Sequence, residues 1–528
     1  MDTFQENLQA LIQASRDAAN RSDLPRDLPP WTYFAPILLT YILYKTWQLL
    51  FKSARFPTIN IDKKAASAKE QFVSSSRQLL AEGARKFGGP FNLITESGPI
   101  IILPPSSVEA VNAEKNLSFI DWVRVEHLSK FETFRTMRPW PHGMFSEAIL
   151  KGITRPLPKF TKPMSVEMTR CLDDTYGPQK KWHATYIMDD VQSWIARLSA
   201  VVFLGEELAR NEEWVRITTT FTVNLFTAIR ATKYYHPLIR PIIDWFAPLN
   251  RQVRTDMNIA CDILKPILKE RHEEVRAAER EGRKPNVPDD AIEWFRKSSN
   301  GRSYPEMHIQ LGLAQVAIQT TSSQLTQCVL NLCAHPEYIQ PLRDEALSVL
   351  GKHGLHKPAL AELILLDSFL KETQRLKPES MATMHRRALA DIDLPGDIHI
   401  KKGDHLAVSS HSMWDEENYP NPEQFNPYRF VERRKIPAYE HKSAYVSTSA
   451  DHLGFAHGKL ACPGRFLAAN MMKIAMLHII FKYDLKIDAP GEAKWWHYGT
   501  DMVVKNKAKI WVKSRKTEID LEALTAQL

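Results

Sequence analysis

The sequence predicts a mainly helical domain with small β-sheets, preceded by a single membrane-spanning helix. Long stretches carry apolar residues at helical spacing, as in residues 255–280 and 307–334. Strand-like pieces are short and few; residues 99–103, 398–400 and 405–408 are each bounded by glycine, proline or turn residues. Because most such pieces lie after residue 390, we expect the β structure to concentrate there.

The membrane-spanning helix is predicted from the apolar segment 31–51, WTYFAPILLTYILYKTWQLLF, which carries a single charge, Lys45. As a helix it would be roughly 30 Å long, about the thickness of a hydrocarbon core. Trp31 and Trp47 suit the two membrane interfaces. Residues 1–30, which are polar, are therefore predicted to be a lumenal segment. An amphipathic helix lying on the surface of the domain remains an alternative.

The remainder of the chain follows as a linker, residues 52–70, and one domain, residues 71–528. Pro57 breaks any helix in the linker, and no later stretch has the composition of an interior linker. We expect the domain to face the cytosol. In this orientation the sequon Asn20-Arg21-Ser22 is lumenal, where it can be glycosylated.

Composition excludes two classes of protein. The 528 residues are 44% hydrophobic and 25% charged, which is ordinary for a globular protein with a large core. The net charge is +8, but lysine and arginine alternate with acidic residues and form no basic tail, so we expect no nucleic-acid partner. An odd number of cysteines without a CxxC pair argues against a disulfide framework. They are Cys171, Cys261, Cys328, Cys333 and Cys462.

Cys462 lies in a glycine-bearing loop just before an apolar helical pattern, residues 467–481. The unpaired backbone N–H groups and the positive end of the helix dipole favour a thiolate at this position. A thiolate is the form of cysteine that binds a metal. A zinc site formed by Cys462 with His452 and His457 is conceivable, although the spacing matches no common zinc pattern.

The residues around the cysteine favour a flat organic cofactor. Gly458 and Gly464 remove side chains where a macrocycle needs close backbone approach, and Phe455 can pack on its sulfur side. The pattern F-x-x-G-x-x-x-C-x-G leading into a helix resembles the cysteine loop of the cytochrome P450 family. The resemblance, which covers roughly residues 70–515, implies that family's fold and haem b held through the Cys462 thiolate.

Glu372 and Arg375 lie three residues apart on one face of an apolar helix that Pro378 stops. Alone, such a pair is a common surface ion pair. In the family that the chain resembles, an E-x-x-R pair meets a later arginine and fixes the segment that holds the cysteine loop. Arg429, in Phe425-Asn426-Pro427-Tyr428-Arg429-Phe430, is implied to be the third member of this structural network.

Thr320 and Gln319 lie inside the long helical pattern 307–334. The resemblance implies that Thr320 is the threonine that helps to deliver protons to dioxygen. Gln319 stands where the family usually has Asp or Glu, and an amide can orient a water molecule but cannot titrate. The alternative for Thr320 is a hydroxyl that only bonds back to a helix carbonyl.

A second departure from the family pattern is Leu460, where a His or Arg often bonds a haem propionate. Another cation must then serve. The strand after the E-x-x-R helix usually provides one, which implies Arg386, with His385 as a near alternative. Both assignments rest on the resemblance.

The resemblance implies a monooxygenase that uses O2 and electrons from an NADPH–cytochrome P450 reductase, in the endoplasmic reticulum membrane. Residues 203–214 and 335–345 are similar to fungal members that act in secondary metabolism. We therefore expect an apolar substrate, such as a terpenoid, an indole-terpenoid or a polyketide-like compound, that reaches the enzyme through membrane lipid. Two alternatives remain open: a haem-thiolate isomerase that needs no reductase, and a haem-binding protein without oxygen chemistry.

Overall fold

A computed structural model describes residues 55–60, 68–139 and 143–526, together with Pro36 and Thr40. The predicted lumenal segment, most of the predicted anchor and the sequon at Asn20 lie outside the described residues. From Phe56 onward the chain forms one compact unit.

Helices make up most of this unit. In chain order they are α1 (Ala68–Phe87), α2 (Val108–Ala113), α3 (Phe119–Glu126), α4 (Met144–Ile149), α5 (Thr161–Thr175), α6 (Ile187–Phe203), α7 (Glu206–Ala209), α8 (Glu212–Lys233), α9 (Arg240–Phe246), α10 (Pro248–Glu281), α11 (Ala291–Ser299), α12 (Glu306–Ala334), α13 (Ile339–His353), α14 (Lys357–Glu362), α15 (Ile364–Leu376), α16 (Arg429–Arg434), α17 (Arg465–Lys482) and α18 (Leu521–Ala526).

The strands are short. They are β1 (Phe91–Thr95), β2 (Gly98–Leu103), β3 (Leu117–Ser118), β4 (His183–Tyr186), β5 (Ala382–Ala388), β6 (Ile392–Leu394), β7 (Ile398–Ile400), β8 (His405–Ser409), β9 (Tyr483–Lys486), β10 (Trp496–Tyr498), β11 (Asp501–Val503) and β12 (Lys509–Ser514). The largest sheet has the order β1-β2-β8-β5-β3, in which β2 and β8 are parallel. A three-stranded sheet, β4-β12-β9, and the pairs β6-β7 and β10-β11 complete the β structure of the described chain.

Two helices, α17 and α12, form the centre of the core and are buried on almost every side. In α17, every residue from Ala469 to Phe481 is buried. In α12, most side chains from Ile309 to Cys333 are buried, and the row includes many amides and hydroxyls. The cysteine loop directly precedes α17, and α12 carries Gln319 and Thr320.

The predicted helices are confirmed with shifted ends. The helix expected at 255–280 begins earlier, at Pro248, and ends at Gly282, which adopts the left-handed conformation typical of a helix end. The expected helix over 307–334 is α12. Helix α1 begins at Ala68, inside the span predicted as a linker.

The expectation that β structure concentrates after residue 390 holds only in part, because seven of the twelve strands of the described chain, β6–β12, lie there. Strands β1, β2, β3 and β4 lie before residue 190, and β1–β3 join the same sheet as β5 and β8. Strands separated by about three hundred residues pair here, and a local pattern of apolar residues carries no information about such partners.

None of the helices in the described ranges is both long and apolar enough to cross a membrane. The cysteines form no disulfide: Cys171, Cys328 and Cys333 are buried, and Cys261 and Cys462 are partly buried. This agrees with the absence of a disulfide framework expected from their number and spacing.

Candidate active site

Cys462 is held by a tight loop that docks on α2. Its N–H donates to the carbonyl of Phe455 at 2.9 Å. Gly458 has φ +75°, and a Cβ there would overlap the side chain of Asn112, whose Oδ1 accepts the N–H of Lys459 at 2.8 Å. Gly458 is therefore required both for its backbone conformation and for the close approach of α2. Nothing in the sequence alone indicates that Asn112 contacts the cysteine loop.

The pKa of the Cys462 thiol is raised, whereas the helix start alone would predict a lowered one. Burial raises the pKa of the thiol, while the N–H groups of Gly464 and Arg465 and the charge of Arg465 act to lower it. The net pKa is raised. The helix N-terminus faces the sulfur as expected, but a cation bound at the sulfur must supply the remaining stabilisation of a thiolate. This donor set fits a thiolate-ligated iron.

The other loop residues, Phe455, Gly464 and Leu460, add no charged group to the site. Phe455 packs edge-on against the ring of Tyr445, with ring centroids 5.2 Å apart. A Cβ at Gly464 would meet nothing nearer than the Cys462 sulfur, at 4.0 Å. The side chain of Leu460 is half exposed and contributes no charge.

The middle of α12 carries two exposed side chains, Val316 and Thr320. Val316 is 51% exposed although it lies in the middle of a largely buried helix, and Thr320, one turn later, is also exposed. The Thr320 hydroxyl donates to the carbonyl of Val316 at 3.1 Å. This is the back-bond that the alternative interpretation expects, and it leaves the oxygen lone pairs available to accept another hydrogen bond. The Gln319 amide is held from α6: its Oε1 accepts a hydrogen bond from Gln192 at 3.2 Å.

The structure brings Glu372, Arg375 and Arg429 together. Arg375 donates to both carboxylate oxygens of Glu372, at 2.8 and 2.9 Å. Arg429 Nε lies 3.1 and 3.2 Å from the same two oxygens. The side chains of Glu372 and Arg375 have no exposed surface, so this is a buried network and not the surface ion pair that the motif alone suggests.

The network also binds backbone. Arg375 donates to the carbonyls of Met413 and Pro422, each at 2.7 Å. Arg429 donates to the carbonyl of Pro420 at 2.7 Å. These bonds fix the irregular segment between β8 and α16, so the role of the three residues is structural.

A second link, which sequence reasoning missed, joins α15 directly to the cysteine loop. Gln374 Oε1 lies 3.1 Å from His452 Nε2. The backbone of Gly454 packs so closely on Gln374 that a Cβ at this position would overlap its side chain. Gln374 lies within the E-x-x-R motif, but nothing in the sequence distinguishes it from a surface residue.

The zinc alternative is not formed. His452 is bonded to Gln374, and His457 lies 3.0 Å from Thr448 Oγ1 and 3.1 Å from Glu109 Oε1. In the part of the chain that the structure describes, no three potential ligands gather around a metal position.

Arg386 is a buried cation without a carboxylate partner among the described residues. It is 3% exposed, its guanidinium donates to the carbonyl of His385 at 2.8 Å, and burial lowers its pKa to about 10. Isolated buried charges are costly unless they are paired. This side chain therefore fits an anionic group such as a haem propionate.

His385, the alternative, is engaged elsewhere. Its ring stacks on Trp122 with centroids 4.5 Å apart, and its Nδ1 lies 3.3 Å from His405 Nε2. Burial lowers its pKa to about 4, so the ring is neutral at physiological pH. A β-bulge lies between Thr383 and Arg386. Bulges change the direction in which side chains leave a strand, so His385 and Arg386 have different surroundings. The geometry favours Arg386.

We expect the Arg386→Leu variant to fold but to lose haem. The substitution removes an uncompensated buried charge, so stability should not fall, whereas the anionic cofactor loses its cationic partner. Haem content per polypeptide after gel filtration measures the effect, with Arg387→Leu on the partly exposed neighbour as the control. Equal haem retention by both variants would show that Arg386 does not pair with the cofactor.

Comparison with known proteins places this geometry in a family. The sequence model of cytochrome P450 matches residues 147–513. The chain belongs to the cytochrome P450 family. It is 38% identical to cytochrome P450 monooxygenase hepE of Aspergillus oryzae, over 83% of this chain and 82% of the relative. For the P450 monooxygenases esdpI of Penicillium shearii and easM of Aspergillus fumigatus, the identities are 36% and 33%. The matches cover 86% and 92% of this chain, and 90% and 95% of those relatives.

A solved structure has the same fold. Retinoic acid bound cyanobacterial CYP120A1 superposes with a TM-score of 0.66, covering 87% of this chain and 99% of that chain at 17% identity. The predicted P450 fold, mainly helical with small sheets, is thus confirmed. The P450 is a monooxygenase, and its family uses haem with a cysteine thiolate as the iron ligand.

Proposed function

We propose that this P450 oxidises a lipophilic intermediate of a fungal secondary-metabolite pathway, with O2 and electrons from an NADPH–cytochrome P450 reductase. The observation that carries the proposal is Cys462, whose sulfur faces two backbone N–H groups at the start of α17. It occurs in a chain 33–38% identical to three fungal P450 monooxygenases over most of its length. We assign the substrate to the terpenoid, indole-terpenoid or polyketide-like compounds.

The haem, when bound, supplies the activation of O2 and the insertion of one oxygen atom into the substrate. Cys462 would hold the iron, and Arg386 would pair with a propionate. Val316 presents an apolar wall that positions an apolar substrate and limits water. The Thr320 hydroxyl can hold and pass a proton at its Oγ1, whereas Gln319 can only orient a neighbour.

A metabolite comparison tests this function. Deleting the gene in its source organism should cause accumulation of an apolar compound, and microsomes containing the P450 and the reductase should add one oxygen atom to it. The oxygen should derive from 18O-labelled O2, and the reaction should require NADPH. Conversion without NADPH would instead establish the rearrangement enzyme.

We further propose that the P450 is bound to the endoplasmic reticulum membrane, with residues 31–51 as a single-pass anchor and the domain in the cytosol. Besides the apolar sequence of that segment, an exposed apolar surface on and around α9 supports membrane contact. Its members are Tyr234 at 64%, Leu238 at 56%, Ile242 at 58%, Trp245 at 63% and Phe246 at 68% exposed. Between residues 234 and 251 the one acidic residue, Asp244, is buried, so anionic lipid meets no exposed like charge there.

A nitroxide attached at Ile242→Cys should lie in lipid when the full chain is reconstituted in vesicles of phosphatidylcholine and phosphatidylserine. We expect faster spin relaxation by O2, which concentrates in lipid, than by a water-soluble nickel chelate. A label at Lys435→Cys, an exposed position directly after α16, should show the reverse. If both labels respond alike to the nickel chelate, the α9 surface does not enter the bilayer.

A further inference from the structure

Gln319, the residue that departs from the family pattern, is bonded across a helix interface. Gln192 of α6 donates from Nε2 to Gln319 Oε1 at 3.2 Å. This bond occupies the acceptor of the Gln319 amide and leaves its two N–H donors for another partner. An amide held in this way can orient a water molecule, but it cannot release a proton of its own at physiological pH.

Gln192 also lines a polar groove between α6 and α8. The groove has a volume of about 810 Å³, and Asp189, Ser193, Thr219 and Thr220 lie along it. Asp189 and Thr220 are exposed, so the groove opens to solvent. At about 30 Å³ per molecule this space holds on the order of 25 waters. One side chain thus contacts both bulk water and the residue next to Thr320.

A second observation indicates an ordered water near the Gln192–Gln319 hydrogen bond, on the buried side of α12. Ser322 lies three residues after Gln319, on the same face of α12. It has no exposed surface, and its hydroxyl has no hydrogen-bond partner among the described residues. Buried hydroxyls are rarely left unpaired, and an ordered water is the usual partner. Polar groups therefore continue from the groove, past Gln192, to the turn of α12 that carries Thr320.

We propose that Gln192 is a positioning residue for proton delivery, an inference that rests on the proposed monooxygenase function. Gln192 fixes the Gln319 amide and connects it to the water of the groove. The Thr320 hydroxyl gives its proton to the reacting oxygen substrate and takes one from a water that Gln319 orients. That water is reprotonated from the groove. Solvent replaces the carboxylate that the family usually carries at this position.

The test compares Gln192→Leu with Ser193→Ala in the full-length holoenzyme. Ser193 lies on the same groove but makes no bond to Gln319, so it is a matched control. The holoenzyme is supplied with NADPH and the reductase, which deliver both electrons, in H2O and in D2O, and NADPH consumption is followed. We expect about tenfold slower, isotope-sensitive NADPH consumption in Gln192→Leu, less than the hundredfold or more of a directly transferring group because Gln192 only positions its neighbour. Ser193→Ala should match the wild type.

A second readout does not depend on turnover. Electron–nuclear double resonance of the resting ferric protein in D2O detects exchangeable deuterons near the iron. Gln192→Leu should lose one such coupling that Ser193→Ala retains, while the carbon-monoxide spectrum and the thermal unfolding midpoint of both stay at wild-type values. Those two controls exclude loss of the fold as the cause of a slower reaction.

Thr320→Ala, measured beside them, distinguishes the two ways in which the inference can fail. If Thr320→Ala slows NADPH consumption or diverts it to hydrogen peroxide, and Gln192→Leu behaves as wild type, the monooxygenase function stands and the Gln192 route is wrong. Wild-type behaviour of both variants would instead remove the proton-delivery role assigned to Thr320 itself. Equal slowing by Ser193→Ala and Gln192→Leu would also overturn the inference, because no particular role would remain for Gln192.

Discussion

Replacing Glu372 by alanine should abolish haem-loaded protein. The substitution leaves the guanidinium groups of Arg375 and Arg429 without their carboxylate, and both are almost fully shielded from solvent. Removing one partner of a buried ion pair costs about 3–5 kcal/mol. This is a large part of the roughly 5–15 kcal/mol by which a folded domain exceeds its unfolded state.

The loss extends beyond the ion pair. The same two arginines donate to backbone carbonyls of Met413, Pro420 and Pro422, so the segment that precedes the cysteine loop loses its fixed position. We expect neither a haem spectrum nor a cooperative thermal transition in Glu372→Ala. Glu372→Gln, which keeps the size of the side chain, should fold but retain less haem.

Glu432→Ala is the matched control. Glu432 pairs with Lys435 on the surface, where both side chains are more than 60% exposed, and such pairs contribute about 0–1 kcal/mol. Haem content and the unfolding midpoint should therefore stay near wild type. A Glu372→Ala protein with wild-type haem content would show that the network does not hold the cysteine loop.

Replacing Thr320 by alanine should uncouple NADPH consumption from product formation. Among the residues of α12, Thr320 is the one that carries an exposed hydroxyl, one turn from the exposed Val316. Positioned proton transfer contributes about a hundredfold or more in enzymes. We therefore expect the yield of oxidised product per NADPH to fall at least about tenfold, with hydrogen peroxide released instead.

Thr321→Ala and Thr320→Ser control this experiment. Thr321 is the adjacent threonine but is buried, at 6% exposure, so its loss should leave the yield unchanged. Thr320→Ser keeps the hydroxyl and should restore most of the coupling. If Thr320→Ala gives the wild-type yield per NADPH, the hydroxyl only bonds back to the helix.

The parts of the site that the sequence could predict are those that lie close together along the chain. The cysteine loop and the helix after it are fixed by local geometry, and Glu372 and Arg375 share a face because a helix has 3.6 residues per turn. Arg429, 57 residues beyond Glu372, came only from resemblance to a family, since no local pattern marks a distant partner.

The contacts that sequence reasoning missed are all long-range. Gln374 meets His452 across 78 residues, and Gln192 meets Gln319 across 127. Amide side chains carry no pattern that distinguishes a buried partner from a solvated surface residue. The pairing of the largest sheet could not be predicted for the same reason: β2 was recognised as a strand, but its partner β8 lies about three hundred residues later.

Cys462 shows how a correct local argument can be incomplete. The helix start does direct N–H groups at the sulfur, but burial by the surrounding chain outweighs them and leaves the pKa of the thiol raised. Burial depends on the whole fold and cannot be read from the loop. The thiolate therefore depends on the charge of the bound iron as well as on the helix.

The reduced, carbon-monoxide-bound difference spectrum of the full-length protein tests the central claim most directly, measured beside Cys462→Ser and Cys261→Ser. Wild type and Cys261→Ser should show the red-shifted Soret band of thiolate-ligated haem, and Cys462→Ser should lose it. A red-shifted band that persists in haem-loaded Cys462→Ser would contradict the assignment of Cys462 as the iron ligand.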